Sequence, residues 1–229
     1  MKPCLAVCGV LVILLAAAVG PAEAVPDLQL YIEGAEWDDA TETWVTTTSD
    51  FNLWVIGANQ AIGGVKVAAA LESDADPTSG TVTLESAIES VSYSGSGGSG
   101  DGGGGFANGT PTMGNGSPLP PHDIYPTWFG TVNVGDFLTP YTETVYDMQP
   151  GETGSAPGEI QYVHVTIEGF ERVHFDAYNH TIIGKYKARF APFSHDAGIV
   201  PEPGTLLLLC PGIAGLLVVR RRGRRAGRR

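Results

Sequence analysis

The side chains able to do chemistry in this 229-residue chain are five histidines and a surplus of carboxylates, 25 Asp and Glu against 13 Lys and Arg. His164 and His174 fall on the polar side of two alternating runs, residues 161–167 and 172–177. If those runs pair as a hairpin turning at Gly169, with Glu168 opposite Glu171, the two imidazoles lie close across the strands. His180 or Asp176 could then complete a transition-metal site. No His-x-His or His-Glu-x-x-His spacing supports it, and solvated histidines on a sheet face are the plainer reading. The carboxylates offer a second chemistry. Asp74 and Asp76 ahead of Pro77, Glu36 with Asp38 and Asp39, and Asp196 beside His195 are oxygen-rich groups. Such groups suit Ca2+, although no twelve-residue Asp-x-Asp-x-Asp-Gly loop is present. Asp74 and Asp76 are the expected calcium ligands, set against a reading in which all these carboxylates are diffuse surface charge.

Catalysis finds little to work with. Glycoside hydrolysis needs two carboxylates facing across a cleft, and 23 lie between residues 25 and 200 with nothing to select a pair. Gly-x-Ser-x-Gly is absent, and no Gly-Lys-Ser/Thr follows the glycines at 102–105, so neither a serine-esterase turn nor a phosphate cradle is present. Cys4, Cys8 and Cys210 sit in the two apolar ends, leaving the core no disulfide, thiolate metal site or cysteine nucleophile. The chain is read as non-enzymatic. Aromatic side chains are the remaining lead: Trp37, Trp44, Trp54 and Trp128, with Tyr125, Tyr141 and Tyr146, could stack on sugar rings. Trp54 is expected to be buried, and Trp128 and Tyr125, in a proline-braced segment, are the expected exposed binding residues.

Charge narrows the partners. Residues 25–200 carry only Lys66, Arg172, Lys185, Lys187 and Arg189 against those 23 carboxylates, a net charge of −18. A surface so acidic repels phosphate backbones, which excludes nucleic acid.

The elements that would position these groups are short and β-rich. Strands are expected at 28–33, 42–47, 51–57, 65–71, 80–86, 129–134, 160–168, 171–178 and 185–190. Residues 51–57 are apolar on both faces and predict an interior strand. Nine such strands imply an all-β fold, an antiparallel β-sandwich with a jelly roll as one version. Residues 94–118 hold 11 glycines and one aromatic, Phe106, and read as a flexible glycine-rich loop or linker.

The two ends are addressed to a membrane. Lys2, an apolar run over 5–20, and Ala22-Glu23-Ala24 before Val25 form a secretory signal peptide over residues 1–24, cut by signal peptidase after export by the secretion machinery. A retained N-terminal membrane helix is the alternative. The domain proper then spans 25–198, and a tail of three parts occupies 199–229. Pro201-Glu202-Pro203 holds the chain extended and open to an enzyme. Fifteen apolar residues over 205–219 follow, spanning roughly 22 Å at 1.5 Å each, short of the ~30 Å hydrocarbon core and suited to transient inner-membrane insertion. Arg220, Arg221, Arg222, Arg224 and Arg225, with Arg228 and Arg229, cannot cross and stop transfer, which leaves the domain outside. An ordinary uncleaved anchor is the alternative here.

This order of Pro-Glu-Pro, apolar segment and arginines resembles the PEP-CTERM sorting signal of Gram-negative bacteria. The resemblance implies an exosortase, a membrane-embedded transpeptidase that recognises Pro201, Glu202 and Pro203 and removes the tail. Pro211 inside the apolar segment departs from a regular helix. Residues 28–34, 119–126, 173–176 and 190–196 are also similar to the choice-of-anchor N proteins, a surface-protein family that implies no activity. The expectation is an exported, non-enzymatic protein of the cell surface or extracellular matrix. The alternative is a calcium-assisted carbohydrate-binding or glycan-processing module, with extracellular polysaccharide as partner. A bacterial host would leave the sequons at Asn108, Asn115 and Asn179 without consequence.

Overall fold

The computed structural model describes residues 24–97, 104–120, 128–183, 187–192 and 195–200. Most of the signal segment, the tail from Pro201 onward, His122 and Tyr125 lie outside them. In chain order the strands are β1 (Leu28–Ile32), β2 (Glu36–Asp38), β3 (Thr43–Thr46), β4 (Asp50–Ala58), β5 (Ile62–Leu71), β6 (Thr81–Glu85) and β7 (Ser90–Ser94). They continue with β8 (Ala107–Asn108), β9 (Trp128–Phe137), β10 (Glu143–Tyr146), β11 (Ser155–Glu168), β12 (Val173–Thr181) and β13 (Asp196–Ile199). The described residues are all-β, without a helix.

Two sheets form. The first runs β1-β4-β11-β6-β7, with β10 added on β11, and the second runs β2-β3-β13-β12-β5-β9-β8. All pairs are antiparallel except β13 with β3. The inner faces follow from period-two alternation: Leu53 and Val55, or Val163, Val165 and Ile167, face Val65, Val67, Ala69 and Leu71 or Val173, Phe175 and Ala177 in one core. Each such buried side chain contributes roughly 1.5–3 kcal/mol, against about 1–2 kcal/mol of backbone entropy per ordered residue, so strands this short depend on the shared core.

The alternation of residues 161–167 and 172–177 identified the right inner faces and the wrong partner. Strand β11 pairs with β4, β6 and β10, and β12 pairs with β5 and β13, so no β11–β12 hairpin exists. Gly169, at a φ of 76°, would be the turn of such a hairpin; it instead carries the chain from one sheet to the other, against the backbone of Ser79 and Gly80. His164 and His174 therefore stand on opposite outer faces of the sandwich.

The glycine-rich stretch also differs from expectation where it is described. Residues 104–118 include β8, paired with β9. Phe106 is fully buried in the main core, against Tyr93 at 5.8 Å and Phe170 at 5.6 Å. A tight turn follows, closed by Met113 N–H to Ser117 O (2.8 Å) and Leu119 N–H to Pro111 O (2.8 Å). Met113 and Leu119 cover Ala68, Ala70, Phe129 and Tyr178 on the outer face of the second sheet. Two large apolar side chains and Leu119 thus hold down a segment whose composition alone suggests a linker.

Strand β4 does lie inside its sheet, between β1 and β11, with Leu53 and Val55 in the main core and Ile56 and Ala58 under Val145 and Ala156 on the other side.

Candidate functional site

Covering the second sheet makes a polar group on its outer face a buried one. On β12, Val173, Phe175 and Ala177 face the core, so His174 and Asp176 project together to the other side. Strand β13 lies beside them, with Ala197 opposite Phe175 and Gly198 opposite His174, which brings Asp196 alongside. His174, Asp176 and Asp196 are 5%, 2% and 0% exposed. The imidazole Nε2 of His174 is 3.9 Å from Asp176 Oδ1 and 3.6 Å from Asp196 Oδ2, and one ligand atom from each residue lies within 4.8 Å of the others. Gly198 makes room: a Cβ there would lie 3.1 Å from Val173 O and 3.9 Å from His174 Nδ1. Burial, and then the Asp176 charge, push the Asp196 carboxyl well above the ordinary carboxylate range. One imidazole nitrogen and two carboxylates at this spacing can hold a divalent cation.

Among the described residues this is the one place where three such side chains converge. The sequence pairs His174 with His164 and offers His180 or Asp176 as a third ligand; of these only Asp176 joins His174, and the remaining member, Asp196, comes from β13. His164 lies on the first sheet, 3.7 Å from Asp50 Oδ2 and 3.4 Å from Asn52 Oδ1. His180 Nδ1–H donates to Thr112 O (2.9 Å) and pins the covering turn. His195 Nε2–H donates to Asp147 Oδ1 (2.8 Å), a second buried pair next to Asp196 in the chain.

The expected calcium ligands Asp74 and Asp76 are both exposed. Asp76 Oδ1 accepts from Thr78 N–H (2.9 Å) and Thr78 Oγ1–H (2.7 Å), bonds that hold its carboxyl below the ordinary range. Asp38 caps a turn in the same way, accepting from Ala40 N–H (3.0 Å) and Thr41 Oγ1–H (2.8 Å).

Trp128 is half-buried against the main core. The aromatic surface lies elsewhere. Tyr31, Trp54 and Tyr162 are direct cross-strand neighbours on the outer face of the first sheet, at 5.4 and 5.8 Å between ring centres. Trp44 meets Tyr31 edge-on at 4.9 Å, and Trp37 meets Trp44 at 5.4 Å, which carries the row around the β1 edge to β3 and β2. Trp54, expected in the core, is half-buried in the middle of this row, and Tyr162 is 52% exposed at its end.

The last described residues lead to the tail. Strand β13 ends at Ile199, and Val200 N–H donates to Thr46 O (3.0 Å). Residues 200–222 match the PEP-CTERM protein-sorting motif. The motif implies exosortase-dependent sorting of an exported protein whose precursor is anchored in the membrane before processing. No curated protein and no solved structure matches the chain. Among the described residues no helix is long and apolar enough to cross a membrane, and the apolar tail lies outside them.

Proposed function

We propose that this chain is a non-enzymatic surface or matrix protein, a β-sandwich of choice-of-anchor N type that an exosortase releases from its tail and fixes outside the cell. The observation that carries the reading is the junction at residue 200, where the last backbone bond of the fold meets the first residue of the sorting motif. The Pro-Glu-Pro of the motif follows directly on the last described residue, and prolines disfavour both helix and strand ladder, which suits a segment that an enzyme must reach. At the other end, Val25 is buried and Asn59 Nδ2–H donates to its carbonyl (2.8 Å), consistent with a mature chain that starts at the signal cleavage point. The buried triad of β12 and β13 suits a structural role better than contact with a substrate. Replacing Glu202 with Ala in the native host tests the reading: the uncleaved precursor should accumulate in the inner membrane, and unchanged release to the surface would refute it.

A second reading, recognition of extracellular polysaccharide, is favoured by the aromatic row. Sugar rings stack on such surfaces, and Tyr162 and Trp37 stand at its two ends. Tyr162→Ala and Trp37→Ala should each weaken retention on immobilised polysaccharide without lowering the melting temperature. Equal retention of the variants would remove this reading.

A further inference from the structure

We propose that His174, Asp176 and Asp196 form a binding site for a divalent first-row transition ion such as zinc, which staples strand β13 to β12. Three observations lead to it. Nε2 of a buried imidazole is aimed between two buried carboxylates, at 3.6 and 3.9 Å. Bonds of about 2.1 Å at tetrahedral angles separate neighbouring ligand atoms by roughly 3.4 Å, so the two imidazole–carboxylate separations need to close by only a few tenths of an ångström, and all three ligand atoms already lie within 4.8 Å of one another. The donor set of one nitrogen and two carboxylates suits zinc, manganese or cobalt, whereas calcium takes six to eight oxygens.

Charge and position agree with this. The two carboxylates and a neutral imidazole balance one divalent ion, which removes the cost of burying like charges side by side. Strand β13 is four residues long and leads directly into the sorting motif at residue 200. A pull on the C-terminal end reaches the sandwich through this strand first, so an ion joining Asp196 to β12 reinforces the point of load. Lys66 is buried on the same sheet, and the β5–β12 register puts it opposite Tyr178, two residues beyond Asp176. Its ammonium is the competing source of positive charge.

The test uses the full chain in detergent, stripped with chelator and titrated with zinc, cobalt or calcium. Zinc should bind at one equivalent and raise the melting temperature by roughly 5–10 °C at a hundredfold excess over Kd. Cobalt should give the visible absorption of a bound ion, and calcium at the same concentration should do neither. Asp196→Asn and His174→Gln should each weaken zinc by more than the roughly 10- to 100-fold that loss of an outer-shell partner costs. Asp176→Asn serves as the third variant if either fails to fold, and Asp74→Asn should bind as the wild type does. Absence of stoichiometric zinc and cobalt binding by the wild type, as expected if Lys66 supplies the charge, overturns the proposal. Undiminished binding by folded ligand variants overturns it equally.

Discussion

Removing the Phe106 ring separates a packed closing element from a linker. Phe106 is fully buried, and its ring lies between Tyr93 and Phe170 at 5.8 and 5.6 Å. Phe106→Ala removes the ring and leaves a cavity beside Tyr93 and Phe170 that their rings cannot fill, a loss of about 3–5 kcal/mol. For a domain of this size that corresponds to a fall in melting temperature of roughly 6–20 °C. A solvated linker residue would change stability by less than about 0.5 kcal/mol. Urea unfolding of residues 25–200, followed by intrinsic fluorescence and by circular dichroism, distinguishes the two outcomes. A midpoint within error of the wild type would refute the packing described for residues 104–118.

Two other outcomes follow from charge. The Tyr141 hydroxyl donates to Gln60 O (2.6 Å), and burial, with Glu159 and Asp27 nearby, pushes its pKa up to about 12. The folded state favours the neutral phenol, so this contribution is present below about pH 10, where the unfolded chain also stays neutral, and is lost as pH rises towards 12. Tyr141→Phe should cost about 0.5–1.5 kcal/mol at neutral pH and flatten the alkaline loss, as read by denaturant midpoints across the range; an unchanged alkaline slope would refute it. The −18 balance of residues 25–200 predicts a melting temperature that rises with sodium chloride. A further rise at sub-millimolar calcium, abolished by Asp74→Asn with Asp76→Asn, would place calcium there; equal curves at equal ionic strength would leave diffuse charge alone.

Face identity was legible in the sequence and strand partnership was not. The alternation of Val163, Val165 and Ile167, and of Val173, Phe175 and Ala177, marks inner faces because period two is a local property. Which strand lies alongside depends on the path between the sheets. A glycine in a tight turn and one at a backbone crossing look alike in sequence, and Gly169 is of the second kind, packed on Ser79 and Gly80. Strand β13 is not legible in the sequence because Asp-Ala-Gly-Ile has weak β propensity; it is a strand through pairing on both sides, with β3 and β12. The same blind spot hid the third member of the buried triad, since Asp196 reaches His174 only through that pairing. Strand parity puts two of the three ligands, His174 and Asp176, on one face, but the hairpin expected from the same parity joined them to His164, which lies on the other sheet. The tail required no fold at all, because its order of prolines, apolar residues and arginines is itself the signal.

The intact mass of the surface form, purified from the native host, decides between removal and retention of the tail. Export and exosortase processing predict a chain that begins at Val25 and lacks the arginines of residues 220–229. A surface form that retains those arginines would contradict sorting by an exosortase.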